Sequence, residues 1–598
     1  MMCPAKLSAK IVFSTKLLFL QFIFAKMFLK NILIFFGNLL SFNNKFPLMF
    51  TQFYFWAFFA LVFAGLTLLK NKILLRNCFL LFASLFFYYK TSGLFVILLL
   101  FTTINCFWVG KKIDNTSHIR YRKWLLSLGI FVNLFLLAYF KYAYFFTSVY
   151  NAMFQTDVEV LNYLALWSNQ LTFSKHFDVG SILLPVGISF YTFQSISYII
   201  DVYRRKIAQV PNFFNFGFFV SFFPGLVAGP IIRASQFVPQ LYKKFFLSRR
   251  QFGIAVFWIL NGLLKKLILS DYLAVNFVDR VIENPHLFTS FENLASIFVY
   301  SLQVYADFSG YTDIAIGVAM LMGFYMPKNF NAPYKATNPG DFWKRWHISL
   351  STWLKDYLYI PLGGNRKGKF RTNVNLLITM LLGGLWHGAS WNFVIWGGLN
   401  GIGIIIYKSW RKIKNLKRVF VTITLSATSL LLFSIFHSPA FKIASVWTGI
   451  ICLGTLLTYI YIDIFNRKPL NKLNRGWSIL LTFIFITFTR LFFRSGSNLD
   501  PAEQTAHAWN TAKAMVNQIG GNWNITQIPD IISTYKYVFI LFVFGMLIHW
   551  IPERWKRWYR LIFARLPIWV IGIAVIATVF IVYQFISSDL QPFIYFQF

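Results

Sequence analysis

Apolar residues gather into long runs separated by short basic or polar clusters. About 20 apolar residues in a helix cross a bilayer. Candidate runs lie near 50–69, 73–88, 92–109, 124–149, 181–200, 252–270, 293–325, 373–407, 419–437, 443–462, 477–493, 537–552 and 567–587. Several are short, long or broken, so the pattern predicts an all-α, polytopic transmembrane bundle of roughly 11–14 membrane segments. No soluble domain of ordinary size fits between them. The first 48 residues differ: they hold no Asp or Glu, and Lys16, Lys26 and Lys30 interrupt their apolar stretches. They read either as a basic, membrane-associated extension or as the product of an upstream start codon with initiation at Met49. A cleavable signal peptide is disfavoured, because no small-residue cleavage pattern follows a clean apolar run.

The polar clusters orient these segments. RRK at 204–206, KKFFLSRR at 243–250, NRKGKFR at 365–371, KSWRKIKNLKR at 408–418, NRKPLNKLNR at 466–475 and ERWKRWYR at 553–560 read as cytoplasmic by the excess of cations in cytoplasmic loops. The stretches 150–180 and 495–535 mix acids with few cations and read as external. Residues 212–237 lie between two basic clusters yet are too short for two crossings, and Pro224, Gly225, Gly229 and Pro230 supply breaks. A re-entrant or bent segment is predicted there, buried in protein or lining a cavity. Residues 372–407 also have both ends at basic clusters, so the chain must go in and come back, reversing near Gly383, Gly384, His387 and Gly388. That places His387 deep in the membrane or towards its outer side.

Composition agrees with the pattern. Hydrophobic residues make up 57% of the 598, charged residues 13%, and the mean hydropathy is +0.58, values that mark a membrane protein. The formal charge of +38 would suggest nucleic acid in a soluble chain. Here the cations sit between apolar runs, so topology explains them and no nucleic-acid partner is expected. Cys3, Cys78, Cys106 and Cys452 are isolated, with neither a metal-ligand spacing nor a disulfide framework.

An ionisable group within a membrane segment is costly and normally faces protein or a wet cavity. Of the eight histidines, His118, His176, His286 and His507 fall in loops, and His437 and His549 fall at helix ends, where headgroup-level placement is expected. His347 and His387 remain. Around His347, the residues Trp343, Trp346, Leu350, Trp353, Leu354 and Tyr357 recur at helical spacing with Lys344, Arg345, Lys355 and Asp356 between them. This predicts an amphipathic helix too charged to span. It would either lie in the headgroup layer or plug into the bundle and present His347 to a central cavity. Asp307 and Asp313 lie six apart, off a common helix face, so structural pairing with Lys or Arg is expected rather than a carboxylate dyad. No nucleotide-binding loop, HExxH or GxSxG occurs.

Seven ordered blocks then carry a family resemblance: ILLPVGISFYTFQSISYIIDVYR at 182–204, FFPGLVAGPIIR at 222–233, NGLLKKLILSDYLA at 261–274, YADFSGYTDIAIG at 305–317, NFNAPY at 329–334, DFWKRWHISLSTWLKDYLYIPLGGNR at 341–366 and GGLWHGASWNFVIWGGLNG at 383–401. From about Met49 onward the chain resembles the membrane-bound O-acyltransferases, in the bacterial branch typified by alginate O-acetylation, whose related members O-acetylate cellulose or peptidoglycan or move D-alanine onto teichoic acids. The resemblance implies a helical bundle around a central funnel or tunnel. Its parts would be N-terminal helices at 49–180, a catalytic core at 181–407 and C-terminal helices at 408–598, with an external loop at about 495–535.

By the same resemblance, His387 in WHG is the essential histidine and His347 in RWH the second position. His387 would act as general base on the acceptor hydroxyl or on the hydroxyl of a relay protein, with an acyl-histidine intermediate as the competing version. His347 would position the acyl group or stabilise the oxyanion. Lys344, Arg345, Lys355, Arg366 and Lys367 are expected at a cytoplasmic mouth for the phosphates of acetyl-CoA or an acyl carrier protein. Trp343, Trp346, Trp386, Trp391 and Asn392 are expected to line the cavity. No tightly bound cofactor or metal is expected. The implied setting is the cytoplasmic membrane of a bacterium, with a polysaccharide acceptor and an extracytoplasmic SGNH-type partner. A transporter or flippase of an acylated or glycan precursor is the alternative; it predicts inverted repeats, and no internal repeat is visible.

Overall fold

A computed structural model describes Gly37 and residues 47–172, 178–227, 229–496 and 504–585. The expectations for most of residues 1–48, including Cys3, and for His176 lie outside them. Among the described residues all regular structure is helical. The chain runs through α1 (Phe53–Leu68), α2 (Ile73–Ser92), α3 (Val96–Asn115), α4 (Ile119–Leu137), α5 (Ala143–Phe154), α6 (Tyr163–Thr172) and α7 (Ile188–Tyr203). Next come the short α8 (Phe213–Ser221) and α9 (Ala234–Leu241), then α10 (Arg249–Leu263), α11 (Ser290–Leu321), α12 (Pro339–Trp343), α13 (Ile348–Leu354), α14 (Gly368–His387) and α15 (Trp391–Trp410). The C-terminal part contributes α16 (Asn415–Phe436), α17 (Pro439–Tyr459), α18 (Asn471–Ser495), α19 (Gln504–Gly520), α20 (Lys536–Trp550), α21 (Glu553–Phe563) and α22 (Ile568–Phe585).

Seven helical stretches among the described residues are long and apolar enough to cross a membrane, or eight if the bent pair ending in α20 counts as one span. The number is smaller than that of the apolar runs for two physical reasons. Ile73–Asn115 is one continuous stretch of 43 residues that contains two of the runs. Among the helices around the site, α7 and α11 are buried over nearly their whole length and α14 and α15 on one face, so they carry polar side chains that a lipid-facing helix would not.

Local chemistry fixes the helix ends. Ser248 with Gln251 opens α10, and Thr289 with Glu292 opens α11, each as a reciprocal capping box. α11 is buried over nearly its whole length and is the axis of the core. α10 reaches it through Gly262, where an added Cβ would lie 2.5 Å from the carbonyl oxygen of Gly310. Small residues permit this backbone approach where lipid supplies no hydrophobic drive between helices. The aspartates in the core are paired: Lys266 bridges Asp271 and Asp307, both at 2.8 Å, and Lys265 holds Asp313 at 2.6 Å. Asn133 donates to the thiol of buried Cys106.

Residues 213–241 form short helices with breaks between them, buried on the core-facing side. Much of the stretch expected as an external loop at 495–535 is helical. α19 turns Ala508, Ala512, Met515 and Ile519 inward, a spacing of one helix face. His549 sits in the last turn of α20, at the helix end where the sequence put it. It is buried, its Nε2 accepts from the backbone N–H of Tyr334 at 3.2 Å, and its ring packs on Tyr305. The last turn of α20 is held against the core by this bond.

Candidate active site

The in-and-back path of 372–407 is a helical hairpin. α14 ends at His387, Gly388 is extended, and α15 begins at Trp391. The two helices cross at Gly384 and Gly397, whose α-carbons neighbour each other; an added Cβ at Gly384 would lie 2.2 Å from the carbonyl oxygen of Phe393. This approach holds the end of α14 against α15 and sets the depth of His387.

The last carbonyls of a helix have no partners within it. Here a π-helical turn at Ala138–Tyr142, between α4 and α5, supplies them. Tyr142 donates to the carbonyl of Leu385 at 2.9 Å, and Lys141 donates to those of Trp386 and His387 at 2.7 and 3.1 Å. A buried lysine therefore sits where the helix dipole is negative. Sequence reasoning missed Lys141, although a lysine inside the apolar run 124–149 was a legible signal. The imidazole of His387 is enclosed by Trp386, Trp396 and Phe493, with ring centroids at 4.9, 5.0 and 5.3 Å.

The helix expected around His347 is broken. α12 stops at Trp343, and His347 adopts a left-handed backbone conformation (φ 43°, ψ 57°) before α13 starts. Such a conformation is costly for a residue with a Cβ and persists only where its surroundings impose it. Asn329 imposes it. Its backbone carbonyl accepts from Ile348, and its Oδ1 accepts from the N–H of Ser349 at 3.1 Å and the hydroxyl of Ser349 at 2.9 Å. The same oxygen lies 3.2 Å from Nδ1 of His347. An amide oxygen already taking an N–H makes Nδ1 the protonated nitrogen and Nε2 the lone-pair nitrogen of that ring. His347 is fully buried, packed edge-on to Phe308. The segment is thus plugged into the bundle rather than laid in the headgroup layer.

A cavity of about 260 Å³ leads to His387. One wall follows a single face of α14 through Leu376, Met380, Gly383 and His387, a rise of about 16 Å over 11 residues. Lys344, Lys355 and Lys408 also line it. Lys408 belongs to the last turn of α15, the end of the hairpin away from His387.

The membrane-bound O-acyltransferase family model matches residues 125–445, more than half of the chain and the part that holds both histidines. The chain belongs to the membrane-bound O-acyltransferase family. Among the relatives of this acyltransferase, the probable alginate O-acetylase AlgI of Pseudomonas putida is 41% identical over 354 residues, covering 58% of this chain and 68% of the relative. The same-named protein of Pseudomonas aeruginosa is also 41% identical, with 64% of it covered. The peptidoglycan O-acetyltransferase of Helicobacter pylori is 34% identical over 404 residues, 62% of this chain and 73% of the relative.

The acyltransferase core places the expected site residues unequally. Trp343, Lys344, Lys355 and His387 line the cavity. His347 lies beside it, edge-on to Trp386 at 5.9 Å. Arg345 is drawn away by Asp341, with its Nε 3.0 Å from both carboxylate oxygens. Arg366 and Lys367 are exposed on the turn before α14, outside the lining. Trp346 stacks on Phe342 beneath the Arg490 guanidinium, Trp386 packs between Phe190 and Phe193, and Trp391 is half-exposed against Phe145. Asn392 ties α15 to Ser495 and Ala508. None of these four side chains lines the cavity. Lys408, Trp396 and Asn329 were not singled out from the sequence, because their relation to the histidines exists only across helices.

Proposed function

We propose that this acyltransferase moves an acetyl group from a cytoplasmic thioester to a hydroxyl of an extracytoplasmic polysaccharide, in the cytoplasmic membrane of a bacterium and through an SGNH-type partner. The observation that carries this reading is the cavity with His387 at one end and Lys344, Lys355 and Lys408 along it. The relatives named as acetylating alginate or peptidoglycan support an acetyl group and a glycan polymer.

The cations suit the phosphates of acetyl-CoA or of a carrier protein's pantetheine arm, and the apolar lane along α14 suits the arm that bears the thioester. His387 takes the proton of the acceptor hydroxyl as its oxygen attacks the thioester carbon. The new C–O bond forms, the C–S bond breaks, and the imidazolium returns its proton to the departing thiolate. His347 positions the reacting groups: with Nδ1 bound to Asn329, its Nε2 accepts rather than donates, which disfavours an oxyanion role in this tautomer.

The test is transfer of labelled acetyl groups from acetyl-CoA or an acetylated carrier protein in vesicles that contain the protein and its soluble partner. His387→Gln should lower transfer by about 10²–10⁴-fold while the protein keeps its thermal unfolding profile. Full activity in a folded His387→Gln protein would overturn the reading.

A further inference from the structure

A second cavity, of about 420 Å³, opens between α10, α11, α20 and α21 and shares no lining residue with the first. Its polarity is sorted along its length. Lys328, Glu553, Lys556 and Arg560 line the end beside α21, a helix that follows the basic reading of a cytoplasmic face. Leu269, Leu302, Leu541 and Phe544 line the other end. Leu541 lies nine residues before the end of α20 at Trp550, about 14 Å along that helix. The slot thus joins a charged rim at headgroup level to an apolar interior at membrane depth.

The rim carries an excess of positive charge. Lys328 is matched by Glu553 at 2.9 Å, and Lys265, in the wall, by Asp313 at 2.6 Å. Among the described ion pairs no carboxylate matches Lys556 or Arg560. Lys556 donates to the carbonyl of His549 at 3.0 Å, and Arg560 lies over the ring of Trp258 at 4.9 Å. Burial, together with the neighbouring cations Lys265 and Lys335, pulls the Lys556 ammonium down to about 8; an anion beside it would offset that cost. Trp258, Trp555 and Trp558 surround the rim or flank it on α21, the side chains that favour the bilayer interface.

We propose that this cavity binds one anionic glycerophospholipid of the cytoplasmic leaflet, with its phosphate at Lys556 and Arg560 and an acyl chain along Leu302, Leu541 and Phe544. A free phosphate would satisfy the cations but leave the apolar end unfilled. A zwitterionic lipid would fill the apolar end and bring no net charge to the rim. The lipid ties α21 to the core, and it does so next to Asn329, which lines the same cavity while its side chain holds His347.

The experiment uses the full-length protein, delipidated in a neutral detergent and titrated with phosphatidylglycerol, phosphatidylcholine or sodium phosphate. Bound lipid is counted by native mass spectrometry and stability is followed by thermal unfolding. Phosphatidylglycerol should add as a single bound molecule and raise the unfolding temperature at concentrations where the other two do not. Lys556→Gln/Arg560→Gln should weaken that binding by about tenfold or more, read against the double variant's own lipid-free unfolding temperature. Equal responses to the two lipids, stabilisation by sodium phosphate alone, or undiminished binding by the double variant would each overturn the proposal. If the double variant does not fold, the comparison of the three ligands on the unaltered protein decides it.

Discussion

Lys141 donates a hydrogen bond to the backbone carbonyl of His387 at 3.1 Å from 246 positions earlier in the chain. The histidine at the end of the cavity is therefore held from its backbone side by a lysine on another helix. Replacing Lys141 by Met keeps the volume and removes the donor, leaving buried carbonyls at the end of α14 with one partner fewer. The expected loss of stability is about 1–3 kcal/mol. Acyl transfer should fall through kcat, with the KM for the donor little changed, because the lysine does not line the cavity that leads to His387. Steady-state kinetics on a variant that still unfolds cooperatively checks this; an unaltered kcat would show that α14 ends correctly without Lys141.

Asn329 orders the second histidine. Its Oδ1 receives both groups of Ser349 and faces Nδ1 of His347. Asn329→Ala strands these buried donors and removes the constraint on the left-handed backbone at His347, so a destabilisation of about 1–3 kcal/mol is expected. Asn329→Asp keeps the acceptor and should retain more stability than the alanine variant. Thermal unfolding of the two proteins side by side measures the difference.

The three lysines along the first cavity should act on the donor and not on the chemistry. Exchanging Lys344, Lys355 and Lys408 together for Gln is expected to raise the donor KM by about tenfold or more and to flatten its dependence on salt. kcat at saturating donor should stay near that of the unaltered protein. A fall in kcat at constant KM would move these lysines out of donor binding.

Two adjacent glycines should respond differently to the same substitution. A Cβ at Gly384 meets the carbonyl oxygen of Phe393 at 2.2 Å, backbone that cannot yield without separating α14 from α15. A Cβ at Gly383 meets only the Cδ1 of Leu354, at 3.1 Å, the tip of a flexible side chain. Gly384→Ala should lose folded protein, whereas Gly383→Ala should fold and narrow the cavity. Monodisperse yield after solubilisation distinguishes them.

The amino-acid sequence by itself determined the helical membrane class and the reversal that carries His387, and it marked His347 and His387 as candidates; the structure buries both, and His549 with them. These follow from solvation, since apolar length, basic clusters and a glycine-permitted break are read residue by residue along the chain. It also carried the family blocks around both histidines. Tertiary structure decided what those residues touch. The expected continuous helix at 343–357 breaks at His347 because Asn329 gathers the local N–H groups there, an arrangement that no periodicity records. Lys408 reaches the cavity and Arg345 does not, because Asp341 captures the latter one turn away. His549 is drawn into the core by one backbone N–H at Tyr334. Such contacts join residues far apart in the chain, so they arise only once the helices have packed, while the cost of placing each group in a membrane was written in the sequence from the start.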